Sequence, residues 1–306
     1  MERKHALHER RAQANDFNLM KPELLVPSHL RALCEQYGFK PSKSFGQNYL
    51  ISERPIQAML EAAKVQLGDR VIEIGPGFGV LTFAAASVGA MVTAFEIEQN
   101  LQPYWQDQTK ARSNIEIVWG DALKNLHNYT LPPQYKVLAN LPYQITSHAL
   151  RTILELRPQP SVIAVMVQAE VADRICAAPG KKRRDADGEV GLLSMAVQYY
   201  GTPRFVTKVS RGSFWPAPRV DSAVIVITDI KQRPDAEHFF RVLRAGYAHR
   251  RKQLWHNLSQ GLTVSGEVVK ASLQRVIGNP QVRAEELAVA DWERLAADLS
   301  TVIPQK

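Results

Sequence analysis

Val71-Ile72-Glu73-Ile74-Gly75-Pro76-Gly77-Phe78-Gly79-Val80-Leu81 decides the fold. Its first four residues form a β-branched apolar run with a single acid, the pattern of a buried strand. Glycines at 75, 77 and 79 then make a loop, and apolar residues resume at helical spacing. A strand, a glycine loop and a helix in that order let a ligand approach the backbone at the strand's carboxyl end. A tight strand–helix turn with no ligand is the plain structural alternative.

The same rhythm extends to both sides. Helix 53–65 precedes strand 70–74, and helix 79–88 precedes strand 91–96. Helix 98–109 leads to strand 115–118. Strand 136–139 leads to helix 145–156, and strand 161–167 to helix 169–177. This alternation predicts a mostly parallel sheet with helices on both faces. A helix near 190–199 and strands 204–209 and 222–228 complete that region. From Pro234 onward the apolar spacing is helical only, in 238–247, 251–258, 266–277 and 291–299. The expected organisation is an N-terminal extension over 1–28, a Rossmann-like α/β domain over 29–232 and a small all-helical domain over 233–306. The extension reads as a mobile basic arm, partly helical at best.

The spacing of the glycines narrows the ligand. A dinucleotide fingerprint would want glycine at 80, where Val80 stands. Glu73 places a carboxylate beside the loop, which would repel a pyrophosphate. A cofactor with a cationic head fits better, and S-adenosylmethionine carries a sulfonium and an ammonium. Glu96 ends the next strand about twenty residues past the first glycine, where an acid takes ribose hydroxyls. Asp121 ends the third and is placed to accept from the adenine amine of the cofactor. Each acid alone would read as a helix cap. Their succession at strand ends argues for one site.

Asn140-Leu141-Pro142-Tyr143 follows the apolar run Lys136–Ala139. Such a tetrapeptide can be a simple turn. At a strand's carboxyl end it also suits an exocyclic amine on a flat ring. The Asn140 side-chain oxygen and the Leu141 carbonyl can accept its two N–H groups, and Tyr143 can stack on the ring.

The chain has 306 residues, 45% of them hydrophobic, enough for a large domain and a smaller one. A net charge of +8 suits a polyanionic partner such as nucleic acid. Cys34 and Cys176 sit in no zinc or redox motif, so no metal is expected. No apolar run reaches membrane-spanning length, and the first residues have no secretory apolar core. A cytoplasmic protein with reduced thiols is expected, and the pattern carries no oligomer signal, so a monomer is the default.

Together these residues resemble the ribosomal RNA adenine dimethyltransferases of the KsgA family. Lys43-Ser-Phe-Gly-Gln-Asn48-Tyr-Leu50 is similar to that family's N-terminal motif, and Glu73–Gly79 to its cofactor loop. Asn140–Tyr143 is similar to its active-site motif, and Phe214-Trp-Pro-Ala-Pro-Arg-Val-Asp-Ser222 to a further one. Arg250-Arg251-Lys252-Gln-Leu254 and Arg283-Ala-Glu285-Glu-Leu287 match patterns of its helical tail. The resemblance spans about residues 40–299.

It implies a methyltransferase sheet that uses S-adenosylmethionine to dimethylate N6 of two adjacent adenosines near the 3′ end of small-subunit ribosomal RNA. The partner would be that RNA within a pre-ribosomal small subunit. Asn48, Leu50, Gly75, Glu96, Asp121 and Asn140 would meet the cofactor, with Glu73 and Gly77 in its loop. The target adenine would stack between Tyr143 and Phe214, and Arg250, Arg251 and Lys252 would meet RNA phosphates.

Some positions depart from the pattern. Tyr49 replaces the usual Phe, the extension before residue 40 is long, and 181–184 adds a basic loop. Two other functions compete. A large-subunit RNA dimethyltransferase of the antibiotic-resistance type would usually carry Ile in place of Leu141. An RNA-binding assembly factor would not need Glu73, Glu96, Asp121 and Asn140 together.

Overall fold

The structure, a computed structural model, describes residues 21–41, 46–177, 191–249 and 252–303. Packing divides the chain into two units. One is Met1–Ala172 with Pro203–Ile230, and the other is Asp173–Thr202 with Lys231–Lys306.

The first unit is built on a seven-stranded sheet. Its strands are β2 (Arg70–Ile74), β3 (Met91–Glu96), β4 (Ile115–Trp119), β5 (Tyr135–Asn140), β6 (Val162–Gln168), β7 (Thr202–Val209) and β9 (Ser222–Thr228). The order is β4-β3-β2-β5-β6-β9-β7. Four pairings, β2 with β3 and β5, β3 with β4, and β5 with β6, are parallel. β9 runs antiparallel to β6. The central strands are apolar on both sides because helices cover both faces.

The chain leaves β2 towards β3 on one side, and β5 lies on the other. The crevice at their carboxyl ends is the switch point where α/β sheets bind ligands. On one face lie α2 (Glu53–Ala62) and α3 (Val80–Ser87). Their Ile56, Met59, Leu60, Leu81 and Ala84 pack against Val71, Val92, Leu138, Ala164 and Met166. α3 is Ala-rich, and its small side chains let it lie close on the sheet.

A second cluster joins α1 (Pro27–Gln36), α3 and α4 (Gln102–Thr109). Leu24, Leu30, Phe39, Phe78, Phe83, Tyr104 and Trp105 are its buried members. Leu24 is 2% exposed, so the end of the expected mobile extension is docked in the core by its own apolar side chain. Residues 1–20 and the basic loop at 181–184 lie outside the described residues.

The sequence pattern missed a two-stranded ladder. β1 (Tyr49–Leu50) pairs antiparallel with β8 (Phe214–Trp215), Tyr49 opposite Trp215 and Leu50 opposite Phe214. Ile51 N–H extends it to the Ser213 carbonyl at 2.8 Å. Two motifs far apart in sequence thereby become neighbours.

After α6 (Thr146–Glu155) and α7 (Ala169–Ile175), the second unit is helical: α8 (Leu192–Tyr200), α9 (Ala236–Gly246), α10 (Leu254–Leu262), α11 (Gly266–Ile277) and α12 (Val289–Leu299). Trp292, Leu295, Leu258 and Leu273 form its interior. Tyr199 of α8 stacks on Phe239 of α9 with centroids 3.8 Å apart, and the Arg233 guanidinium lies over the Tyr199 ring.

Gly79 caps α3 in the left-handed region, φ +89°. A Cβ there would meet Trp105 at 2.6 Å and Phe83 at 2.8 Å. Gly79→Ala is therefore expected to cost about 2–4 kcal/mol in urea unfolding, from backbone strain plus overpacking. An unchanged midpoint would remove this account of the glycine.

Candidate active site

Sheet register assembles the site. Ile74 pairs with Phe95 on one side and Ala139 on the other. One residue further along, Glu96, Gly75 and Asn140 reach the same level, and Asn140 pairs with Met166. Residues in register across parallel strands share a face. The row opens into a cleft of about 410 Å³. That volume is in the range for small-molecule sites.

The wall includes the expected Asn48, Leu50, Glu73, Gly75, Gly77, Glu96, Asp121, Asn140 and Pro142. It also includes Met59, Ile97, Leu101, Leu123 and Met166, which the motifs do not flag. Ile97 directly follows the strand-end Glu96 and is 53% exposed.

The glycine loop is held from behind. Trp105 Nε1 donates to the Gly77 carbonyl at 3.0 Å, and the Tyr104 hydroxyl to the Phe78 carbonyl at 2.7 Å. Gly77 N–H points the other way and donates to Glu96 Oε2 at 2.9 Å, while Glu98 N–H donates to Oε1 at 2.8 Å. Gly75 has φ +72°, and a Cβ there would meet no protein atom within 4 Å. The loop is thus an open cradle that a side chain would fill.

Asn140 is oriented by the N-terminal motif. Its Nδ2 donates to the Asn48 carbonyl at 3.1 Å. That leaves Oδ1 as the acceptor it offers to the cleft. Asp121 does act as a helix cap: its Oδ1 accepts from Leu123 N–H at 3.0 Å, opening α5 (Ala122–Asn125). It lines the cleft as well, so the cap and site roles coexist.

Leu141, Tyr143 and Phe214 are not among the residues that line the cleft. Leu141 is buried, and its N–H donates to the Met166 carbonyl at 3.2 Å. Tyr143 is half-buried, with its hydroxyl 2.8 Å from Ser222 Oγ. Phe214 is 4% exposed, packed with Leu50 in the apolar cluster. In this structure it offers no free face to a base, which corrects the expectation of an open aromatic pair; its apolar ring gains more by burial behind β1. Tyr49, the departure from the family pattern, packs on Phe78 and Trp215.

Of the basic residues in the tail, Lys252 is exposed, with Nζ 3.1 Å from His256 Nε2. Arg250 and Arg251 lie outside the described residues, as do Lys43, Ser44 and Phe45 of the N-terminal motif. No helix among the described residues is long and apolar enough to cross a membrane.

The family described as ribosomal RNA adenine dimethylase matches residues 38–300. The chain belongs to that family. Members of it include relatives called ribosomal RNA small subunit methyltransferase A. The one from Streptococcus thermophilus is 40% identical over 282 residues, 87% of this chain and 94% of that protein. The one from Dehalococcoides mccartyi is 38% identical, over 90% and 93% of the two chains.

Two solved structures share the fold. A dimethyladenosine transferase from Plasmodium falciparum aligns with TM-score 0.69 at 22% identity, over 82% of this chain and 97% of that one. The 23S rRNA methyltransferase ErmE aligns with TM-score 0.61 at 24% identity, over 82% and 99%. The expected α/β methyltransferase sheet is therefore present.

Glu73 is the electrostatic exception in the site. It is 3% exposed, and its Oε2 accepts from Thr82 Oγ1 at 2.6 Å. Burial pushes its pKa from 4.5 to about 8, against the lowering effect of Thr82 and with a small addition from Glu96. Burial raises Glu96 too, opposed by backbone N–H donors from Glu98, Gly77 and Ile97.

A folded pKa above the unfolded one means stability complete below about pH 4.5 and lost as pH rises through about 8. Glu73→Gln should remove that loss. Urea unfolding of the free protein should show the variant gaining a few kcal/mol on wild type between about pH 5 and 8. Parallel pH profiles would contradict a buried, neutral Glu73.

Proposed function

We propose that this chain transfers methyl groups to N6 of two adjacent adenosines near the 3′ end of small-subunit ribosomal RNA, acting on a pre-ribosomal particle and contributing to its assembly. The observation that carries the chemistry is Asn140, fixed by the Asn48 carbonyl in one row with Gly75 and Glu96. Family membership and relatives named for small-subunit methylation carry the substrate.

The cleft fits S-adenosylmethionine as cofactor. Gly75 leaves space against its backbone, Glu96 stands at the strand end with backbone N–H donors holding its orientation, and Ile97, Leu101 and Leu123 give apolar surface for a flat ring. When bound, this cofactor supplies an activated methyl on a sulfonium. Glu96 would take its ribose hydroxyls, and Asp121 its adenine amine through the lone pairs left after capping. Asn48, Leu50 and Gly77 complete the pocket.

Adenine N6 is a poor nucleophile because its lone pair is delocalised into the ring. Asn140 Oδ1 and the Leu141 carbonyl would accept both N–H groups and favour a pyramidal nitrogen. Pro142 sets the turn that aims them. The acceleration is then mainly orientation and proximity. The proton leaves to water once the nitrogen is methylated, so no strong base is needed.

A target base in a helix would first flip out. Tyr143, anchored to Ser222, would stack on it, for roughly 1–3 kcal/mol. Phe214, buried with Leu50, would support this site by packing alone. Lys252, with Arg250 and Arg251, would meet RNA phosphates. It would act as a monomer in the cytoplasm.

The large-subunit alternative is weaker. The fold likeness to ErmE speaks to architecture alone, while the relatives at 38–40% identity are named for the small subunit.

Labelled-methyl transfer tests the substrate directly. Immature small subunits should accept two methyls on each of two adenosines, and free large-subunit RNA none. Labelling of large-subunit RNA alone would overturn the assignment. Asn140→Ala should lower transfer at least about a hundredfold, more than 2.7 kcal/mol of barrier, with cofactor affinity within a few-fold of wild type. Glu96→Ala should show the opposite split, a loss of about tenfold or more in cofactor affinity by calorimetry.

A further inference from the structure

Glu73 sits on a face that offers its charge nothing. Its partners across the sheet are Ala94 and Leu138, both fully buried. Above it α3 reads Val-Leu-Thr-Phe-Ala-Ala-Ala-Ser and has no ionisable residue. From α2, Ile56 and Met59 pack on the same face. The acids of the cleft wall are Glu96 on β3 and Asp121 beyond β4, and the Tyr49 phenol comes from β1. Its bases, Lys124 and His148, are both exposed, and Lys124 lies 3.9 Å from Asp121. The Thr82 hydroxyl is a short partner, but it brings no charge. An ionised carboxylate in such surroundings needs a cation that the wall does not supply.

We propose that Glu73 is a proton-releasing counter-ion: it carries a proton in the free protein and gives it to solvent when a cationic cofactor enters the cleft. This rests on the S-adenosylmethionine reading above. Burial holding Glu73 neutral to about pH 8 is in accord with it. The acid is therefore not a fixed negative charge beside the glycine loop. It becomes one as the cofactor's positive end arrives, so affinity is coupled to pH.

The test is calorimetry of S-adenosylmethionine binding to the full chain, wild type and Glu73→Gln, in buffers of different ionisation enthalpy. The cofactor's own amine titrates alike with both proteins, so their difference isolates Glu73. Near pH 7, wild type should release close to one proton more than the variant. Relative to the variant, its affinity should rise by up to about tenfold per pH unit and level off above pH 8. Equal proton counts with measurable binding would overturn the proposal.

Should Glu73→Gln bind too weakly to titrate, infrared difference spectra of wild type decide. Loss of a protonated-carboxyl band on cofactor addition supports the proposal, and its absence overturns it. Failure of wild type to bind S-adenosylmethionine at all is a separate result and overturns the cofactor assignment itself.

Discussion

Parallel pairing of β2 with both β3 and β5 is the constraint on which this molecule depends. It brings the ends of three strands to one level, and each end places one residue on the cleft wall: Gly75 from β2, Glu96 from β3 and Asn140 from β5. A parallel ladder permits this only where crossover helices return each strand in the same direction. The helices therefore serve the site twice. They close the core, and α3 and α4 also press the glycine loop into place through Gly79, Tyr104 and Trp105.

A second tie runs through the N-terminal motif. The β1–β8 ladder is only two residues long, yet it holds Asn48 where its carbonyl takes the Asn140 amide. Burial of Leu50 and Phe214 under this ladder contributes roughly 1.5–3 kcal/mol per side chain. Ser222, at the end of the Phe214 motif, reaches the Tyr143 hydroxyl. Residues that read as three separate motifs are one hydrogen-bonded and packed assembly. Movement of one would disturb the orientation of Asn140.

Much of this was legible in the sequence because local patterns carry it. The apolar runs at 70–74, 91–96 and 136–139 and the glycines at 75, 77 and 79 mark strands and a loop without help from distant residues. The wall of the cleft followed from acids at strand ends. What stayed hidden depends on pairing across long separations. Nothing local to Tyr49 or Trp215 says that they face each other, and the antiparallel entry of β9 beside β6 is a choice of topology. Leu24 lay in a stretch broken by Pro22 and Pro27, where periodicity is silent, and only its pocket among Phe83, Tyr104 and Trp105 shows that it is core. Phe214 looked like an open face because aromatic residues serve both stacking and packing. Its burial is a tertiary fact.

Charge is divided between the cleft and the surface. The cleft wall carries Glu73, Glu96 and Asp121, while the chain as a whole is +8. In the first unit, Arg204, Lys208, Arg211 and Arg219 are exposed on β7 and around β8, the segment that pairs with β1. Asp221 offsets Lys208 at 2.9 Å, and the arginines keep that surface basic. The basic surface attracts polyanions, and the acid-lined cleft gives a phosphate little to bind.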